Sequence, residues 1–476
     1  MAAQKHKPIK FEKFYNVING ELRQTTATRQ SPNPVTEALN AEVPVSSSID
    51  VEAAVEFAKA AFPAWAATSW SERRAAVLGF ANALEQEKEG FARLLKQEQG
   101  KPLHFARMEI DNGVHWLRDI ASLELHDEVI KEDDESRVVV QFRPLGVVVA
   151  IVPWNYPVML ACGKLGPALM TGNSVIMKPS PFTPYCGLKL AELAQSFFPP
   201  GVVQGLSGDD NLGPWLTAHP GVNKISFTGS TATGKRVMES ASHNLTRVTL
   251  ELGGNDAAIV CEDADLKSAV PAIVSLAFLN SGQICIAIKR IYVHSAVYDE
   301  FRTKMIEFLN TLKVNGDEDA FMGPVQNQLQ YYRVQSLLDD INQNGYTTIS
   351  GSHNLPSSGY FIKPTVVSNP PEKSRIVQEE PFGPVVPLLS WTDLDDVISR
   401  VNASNVGLGA SIWSSDHQKA GKIAERIDAG SVWINAHTKI DPKVPFGGYK
   451  DSGIGCEWGV EGLKTFCNIR SLYLKK

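Results

Sequence analysis

From residue 145 onward, short apolar runs alternate with stretches of helical spacing; the runs are Val147 to Val152, Ser174 to Met177, Lys224 to Phe227 and Ala257 to Val260. Strands joined through helices return to the sheet in the same direction, so this succession predicts a parallel sheet with helices on its faces. A second series follows, helical at 263–280, 297–313 and 327–343 with an apolar strand from Val385 to Leu389, and predicts another such sheet. At 476 residues the chain fits two or three domains of roughly 100–200 residues each, and two α/β domains side by side account for the pattern. Upstream, 51–121 carries helical spacing, as in Val51 to Phe62 and Glu72 to Glu85. Phe14 to Glu21 reads as a short strand entering an Asn19-Gly20 turn. Lys131 to Glu135 reads as a solvated loop, and Val138 to Phe142 as an edge strand.

Hydrophobic residues at 43% and charged residues at 21% are the balance of a globular protein. A net charge of −6 provides no basic field, so neither nucleic acid nor an anionic membrane is an expected partner. The start, Met1 to Pro8, is basic but no apolar run follows it, so neither a secretory signal nor a membrane span is expected and the cytoplasm is the predicted location. Six cysteines, at 162, 186, 261, 285, 456 and 467, show neither Cys-x-x-Cys pairs nor zinc-like spacing, and read as reduced thiols with no metal.

Two residues carry the main chemical signal. Cys285, at the end of Asn280-Ser281-Gly282-Gln283-Ile284-Cys285, follows Glu251, in Leu250-Glu251-Leu252-Gly253-Gly254, at a distance that suggests a nucleophile and a base held on separate elements. A thiolate attacks an electrophilic carbon, and a carboxylate then activates the water that releases the product. Phe227 to Lys235 ends a strand and opens a helix, where free N–H groups and the helix dipole favour a diphosphate; a tight turn without ligand is the plainer alternative. The same segment reads Gly-x-x-x-x-Gly-Lys, but Arg236 stands where a triphosphatase loop needs Ser or Thr. Asn155, in Pro153-Trp154-Asn155-Tyr156-Pro157, is placed either to donate to an oxyanion or to cap a helix. Lys178-Pro179-Ser180 ends the next strand and offers a cation to a ribose or phosphate, or to solvent alone. Glu379 to Pro384 and Pro445 to Lys450 are Gly/Pro loops.

Taken in this order, these segments resemble the aldehyde dehydrogenase superfamily across nearly the whole chain. The resemblance implies two Rossmann-like parallel-sheet domains, coenzyme-binding and catalytic, plus a small β oligomerisation element. On this chain they fall at 1–122 with 143–251, at 252–440, and at 123–142 with 458–476. It implies that Cys285 attacks the aldehyde, that Asn155 and the Cys285 N–H hold the oxyanion, that Glu251 is the base for the deacylating water, and that Glu457 relays its proton. It places Trp154, Lys178, Ser180, Gly229, Ser230, Leu252, Glu380 and Phe382 around the coenzyme. Val138 to Phe142 and Ile469 to Leu474 would bridge subunits of a homodimer or homotetramer.

The chain departs from the family pattern at several points. Pro181 replaces the Glu that in many NAD-preferring relatives accepts from the adenosine ribose, so NAD is expected first and NADP becomes admissible. Asn255-Asp256 and Cys456 depart from common family residues at positions read as structural. Gly163 stands where some relatives have a bulky aromatic, while Tyr156, Met159, Leu160, Ile284, Ile286, His437 and Ile440 would line the rest of a roomy, mostly apolar substrate tunnel for a medium-sized aldehyde. The alternatives are an acylating enzyme that passes the acyl group to coenzyme A, which usually lacks the residue matching Glu251, a coenzyme-free thioesterase-like hydrolase using the same cysteine, and a non-catalytic protein of the same fold.

Overall fold

The computed structural model describes residue 6 and residues 8–476; the rest of the basic start of the chain, Met1 to Lys5 and Lys7, lies outside the described residues. Two parallel sheets organise the molecule. In the first, five parallel strands lie in the spatial order Val203–Gly205, Ser174–Lys178, Val147–Ile151, Lys224–Thr228, Arg247–Glu251. The hairpin Asn16–Ile18/Glu21–Arg23 adds antiparallel to one edge, and Gly453–Ile454 closes the other by pairing with Leu250 and Glu251. The hairpin turn is the predicted one, with Asn19 and Gly20 both at positive φ, as a two-residue turn of right-twisted strands requires.

The strands are buried on both faces because helices cover both. Val148, Ala150, Val175 and Met177 point into one core, while Val147, Val149, Ile151 and Ile176 point into the other. Helix Pro157–Met170 is buried at every position but Leu160, which its apolar sequence demands, and Trp70–Gln86 and Leu103–Ser122 pack over it. Two of the N-terminal helices, Ser48–Ala66 and Trp70–Gln86, begin at capping boxes, Ser47 with Asp50 and Ser69 with Glu72, which set their starts earlier than the apolar spacing alone indicates.

In the second sheet the order is Thr348–Ser350, Thr365–Ser368, Val385–Trp391, Ile288–His294, Asp256–Val260, Gly409–Trp413, Ser431–Ile434, parallel except for the first strand. Alternation again splits it between two cores, with Ala257 and Ile259 on one side and Ala258 and Val260 on the other. The fold is α/β with two Rossmann-like sheets, a small three-stranded sheet and two two-stranded ribbons among the described residues.

Two expectations are corrected in that small sheet. Lys131 and Glu132 belong to strand Glu128–Glu132, not to a loop, and the turn shrinks to Asp133–Glu135, where the Asp133 carboxylate accepts from the Glu135 and Ser136 N–H groups. The strand is fully exposed, so charge costs it nothing and hides it from an apolar pattern. Ser136–Pro144 is central, not an edge: Cys467–Lys475 pairs along its whole length, and that partner lies more than three hundred residues away in sequence. Among the described residues no helix is long and apolar enough to cross a membrane.

Candidate active site

In the first sheet the chain builds outward in one direction from Val147–Ile151 and then returns to its other side with Lys224–Thr228, so a crevice opens at the carboxyl ends of these two strands. The crevice holds about 650 Å³ and is lined by Trp154, Lys178, Ser180, Pro181, Gly229 and Ser230 among others. At Gly229 a Cβ would stand 2.5 Å from the Phe227 ring, so only glycine lets the backbone turn there. Ser230 caps helix Thr231–Ser242, whose N-terminus faces the crevice. Lys235 does not serve a phosphate loop; it pairs with Asp451 at 2.9 Å. The Lys178 ammonium is buried and forms no ion pair among the described residues, donating only to the Pro179 carbonyl at 3.4 Å, and burial lowers its pKa to about 8. Thr228 Oγ1, on the same wall, is buried without a hydrogen-bond partner. An unpaired cation, an unpartnered hydroxyl and a helix N-terminus in one crevice fit a pyrophosphate-bearing coenzyme.

Two further members of the expected coenzyme set lie at the junction with the second sheet. Phe382, at φ 45°, packs edge-on against Trp154 at 5.2 Å. The Glu380 carboxylate accepts from the Gly254 N–H at 3.3 Å and pairs with Lys289 at 3.0 Å. Leu252 faces the neighbouring cavity instead of the crevice, with its side chain packed over Gly234.

That neighbouring cavity, about 660 Å³, is lined by Cys285, Glu251 and Asn155 together. Cys285 follows an abrupt turn: helix Leu266–Phe278 ends and Asn280, Ser281 and Gly282 all take left-handed φ, at 51°, 57° and 72°. Side chains hold this costly backbone. Ser281 Oγ donates to the Gly323 carbonyl at 2.7 Å, Gln283 Nε2 to the Asn280 carbonyl at 2.8 Å, and the Gln326 N–H to Gln283 Oε1 at 2.8 Å. A Cβ at Gly282 would stand 2.4 Å from the Gly383 carbonyl oxygen, and one at Gly254 would stand 2.6 Å from that of Cys285, so both glycines are there for close approach. Burial raises the Cys285 thiol to about 12, against the opposing pull of Lys289, whose ammonium donates to the Cys285 carbonyl at 2.5 Å.

Asn155 is not a helix cap. Its Nδ2 donates to the Gln283 carbonyl at 3.0 Å, beside Cys285, while the first N–H groups of helix Pro157–Met170 are taken by Glu109, which accepts from Val158 at 2.9 Å and Met159 at 3.3 Å. Glu109 is paired in turn with Lys101, which donates to the Asn155 carbonyl at 3.0 Å and lies 3.8 Å from the centre of the Tyr156 ring. Lys101 and Glu109 therefore position the Asn155 backbone, a role with no signal in the sequence. The Lys101→Met variant is expected to lose about 3–5 kcal/mol of stability, because it strands a buried carboxylate, and to lower kcat. Adding Glu109→Gln, which removes the stranded charge but keeps an acceptor for the Val158 and Met159 N–H groups, should recover much of the melting temperature but not kcat, which separates packing from positioning.

Glu251 ends its strand opposite Thr228, and its carbonyl accepts from the Gly229 N–H at 3.0 Å. Both its carboxylate oxygens are buried without a hydrogen-bond partner, and burial, with the charge of Glu457 added, holds its pKa well above the usual carboxylate range. Glu457 lies beyond it, accepting from Lys164 at 2.5 Å and from Ser226 Oγ at 2.6 Å. Lys164 also donates to Ser226 Oγ at 3.0 Å, which closes a buried triangle.

Tyr156, Met159, Leu160, Ile284, Ile286, His437 and Ile440 line the cavity as expected, but Gly163 does not. A Cβ there would stand 2.8 Å from Trp458 Nε1 and 3.5 Å from Trp116 Cδ1, so these two indoles fill the space that the missing aromatic leaves. The cavity is therefore not widened at Gly163. Its wall is built by Trp116 and Trp458, in edge contact at 5.4 Å, with Phe446 stacked on Trp458 at 5.0 Å. The Gly163→Ala variant should push Trp458 toward the cavity, lower stability by about 1–3 kcal/mol, and raise KM for aromatic aldehydes more than for short ones.

The chain matches the aldehyde dehydrogenase family model over residues 22–472. It belongs to that family. Aldehyde dehydrogenase LUC3 of a Fusarium species is 42% identical over 98% of this chain and 100% of its own. Among solved structures, an aldehyde dehydrogenase of Bacillus cereus superposes with a TM-score of 0.94 at 33% identity, covering 97% of this chain and 96% of that one. Betaine aldehyde dehydrogenase of Staphylococcus aureus, in complex with NAD+, gives a TM-score of 0.92 at 33% identity, covering 96% and 94%. The chain is accordingly an oxidoreductase acting on the aldehyde group of small molecules.

Proposed function

We propose that the protein oxidises an aldehyde to the carboxylic acid with a nicotinamide coenzyme, through a covalent intermediate on Cys285. The observation that carries this reading is that Cys285, Glu251 and Asn155 line one cavity, next to a crevice suited to a dinucleotide. The Cys285 thiol gives up its proton to solvent and the thiolate adds to the carbonyl carbon; the oxyanion that forms accepts from Asn155 Nδ2 and the Cys285 N–H, groups fixed before substrate arrives. The coenzyme, when bound, supplies the acceptor for the hydride leaving this thiohemiacetal. A thioester on Cys285 remains. Glu251 then takes a proton from water, the hydroxide attacks the thioester, and the acid leaves with the cysteine restored. The Glu457–Lys164–Ser226 triangle behind Glu251 receives the proton and offsets its charge.

The presence of Glu251 favours water over coenzyme A as acyl acceptor. The aromatic wall of Trp116, Trp458 and Phe446 favours a medium-sized aliphatic or aromatic aldehyde. The first sheet with its helices is the coenzyme-binding half and the second sheet the catalytic half. The small sheet, which exposes Ile469 and Tyr473, joins subunits of a homodimer or homotetramer. The test is formation of reduced coenzyme by the purified protein over a panel of aliphatic, aromatic and charged aldehydes with NAD and with NADP. Turnover peaking on a short charged semialdehyde would overturn the substrate class, and none with either coenzyme would overturn the reaction.

A further inference from the structure

Loss of the carboxylate at position 181 leaves the Lys178 side of the crevice without an acceptor for the ribose hydroxyls, yet a carboxylate lines that side from another loop. Strand Val203–Gly205 runs beside Ser174–Lys178, with Gly205 opposite Met177, and the loop that follows it carries Asp209 and Asp210 over the same crevice wall as Lys178, Ser180 and Pro181. The base of the loop is fixed: the Leu206 N–H donates to the Met177 carbonyl at 3.0 Å, Ser207 Oγ to the Pro44 carbonyl at 2.6 Å, and Arg29 to the Gly208 carbonyl at 3.1 Å. The two acids differ in commitment. The Asp209 carboxylate accepts from the Asn211 N–H at 2.9 Å and from Asn211 Nδ2 at 3.2 Å, so it shapes the turn. The exposed carboxylate of Asp210 makes no hydrogen bond or ion pair among the described residues.

Resting on the reading of this crevice as the coenzyme site, we propose that Asp210 supplies the ribose acceptor that Pro181 cannot, and that it makes the protein select NAD over NADP. A free carboxylate accepts from the 2′- and 3′-hydroxyls of the adenosine ribose, while the neighbouring Lys178 ammonium donates to them; toward a 2′-phosphate the same carboxylate presents like charge. The electrostatics agree on proximity: Asp210 is the acid whose field raises the pKa of the buried Lys178, and Arg29 is the base that lowers it. Arg236, the other basic side chain lining the crevice, stands on helix Thr231–Ser242. Pro181 thus admits no wider coenzyme range; the discriminating charge has moved to an adjacent loop.

The experiment measures kcat/KM for NAD and for NADP in the wild type, Asp210→Ser and Asp209→Ser, together with binding of each coenzyme by quenching of protein fluorescence. The wild type is expected to prefer NAD. In Asp210→Ser, kcat/KM for NAD falls about tenfold and that for NADP rises by a similar factor, with kcat at saturating NAD and KM for the aldehyde unchanged. Asp209→Ser is expected to lower the melting temperature and to leave the ratio within about twofold of wild type. A wild type that prefers NADP, or an Asp210→Ser ratio within twofold of wild type, would overturn the assignment. The binding arm keeps the two readings apart: if no aldehyde is turned over but NAD still binds more tightly than NADP and Asp210→Ser removes that preference, the reaction fails and the role of Asp210 stands.

Discussion

The Cys285→Ala enzyme is expected to reduce neither NAD nor NADP with any aldehyde, a loss of about 10⁴-fold or more in kcat, as when the nucleophile of a covalent mechanism is removed. The substitution deletes one buried sulfur and leaves the turn before it intact, because that turn is held by Ser281, Gln283 and Gln326 and not by the thiol. Coenzyme binding and the melting temperature should therefore stay close to wild type. Activity surviving in this variant would sink the covalent route, and lost coenzyme binding would show that the sulfur is structural. Because burial holds the thiol near 12, the wild-type rate of the first chemical step should rise with pH through the neutral range as the thiolate fraction grows.

The second large effect is expected in Glu251→Gln. The amide cannot take a proton from water, so steady-state turnover should fall by about 10²–10⁴-fold while the first half of the reaction proceeds. Rapid mixing should then show a burst of about one reduced coenzyme per subunit, and mass spectrometry of the intact protein should show the acyl group on Cys285. A variant with neither burst nor adduct would place Glu251 in the first step instead. The pH dependence follows from the environment of this carboxyl. Burial raises its pKa, so at low pH it is protonated and inert as a base, and deacylation switches on as pH rises through the raised value. This rising limb should vanish in Glu251→Gln.

The segments around Cys285, Glu251 and Asn155, the proposed nucleophile, base and oxyanion donor, are legible in the sequence because each is a short run, with distinctive glycines, asparagines or prolines, that resembles the family pattern. The left-handed run Asn280-Ser281-Gly282 is one such case. The residues that position them are not legible, because their partners are distant in the chain. Lys164 meets Glu457 across 293 residues, and Lys101 reaches under Asn155 from a segment with no motif of its own. The same reason explains the cavity wall: Gly163 reads as empty space until the fold brings Trp116 and Trp458 against it. The parallel strands are read well because burial on both faces leaves them continuously apolar, whereas the exposed strand Glu128–Glu132 reads as a loop.

The pairing of Gly453–Ile454 with Leu250 and Glu251 also bears on how the protein is made. Synthesis runs from the N-terminus, so the edge of the first sheet that carries the Glu251 carboxylate stays unpaired while the next two hundred residues emerge. Glu457 arrives about as late, 206 residues after Glu251 (457 − 251). Until then Lys164 lacks its counter-ion and Glu251 its charged neighbour, so Cys285 and Glu251 are both present before the buried triangle behind Glu251 is complete. On the proposed mechanism, a copy cut short before Glu457 would form the thioester but release it slowly, so rapid turnover depends on a segment far from Glu251 in the chain.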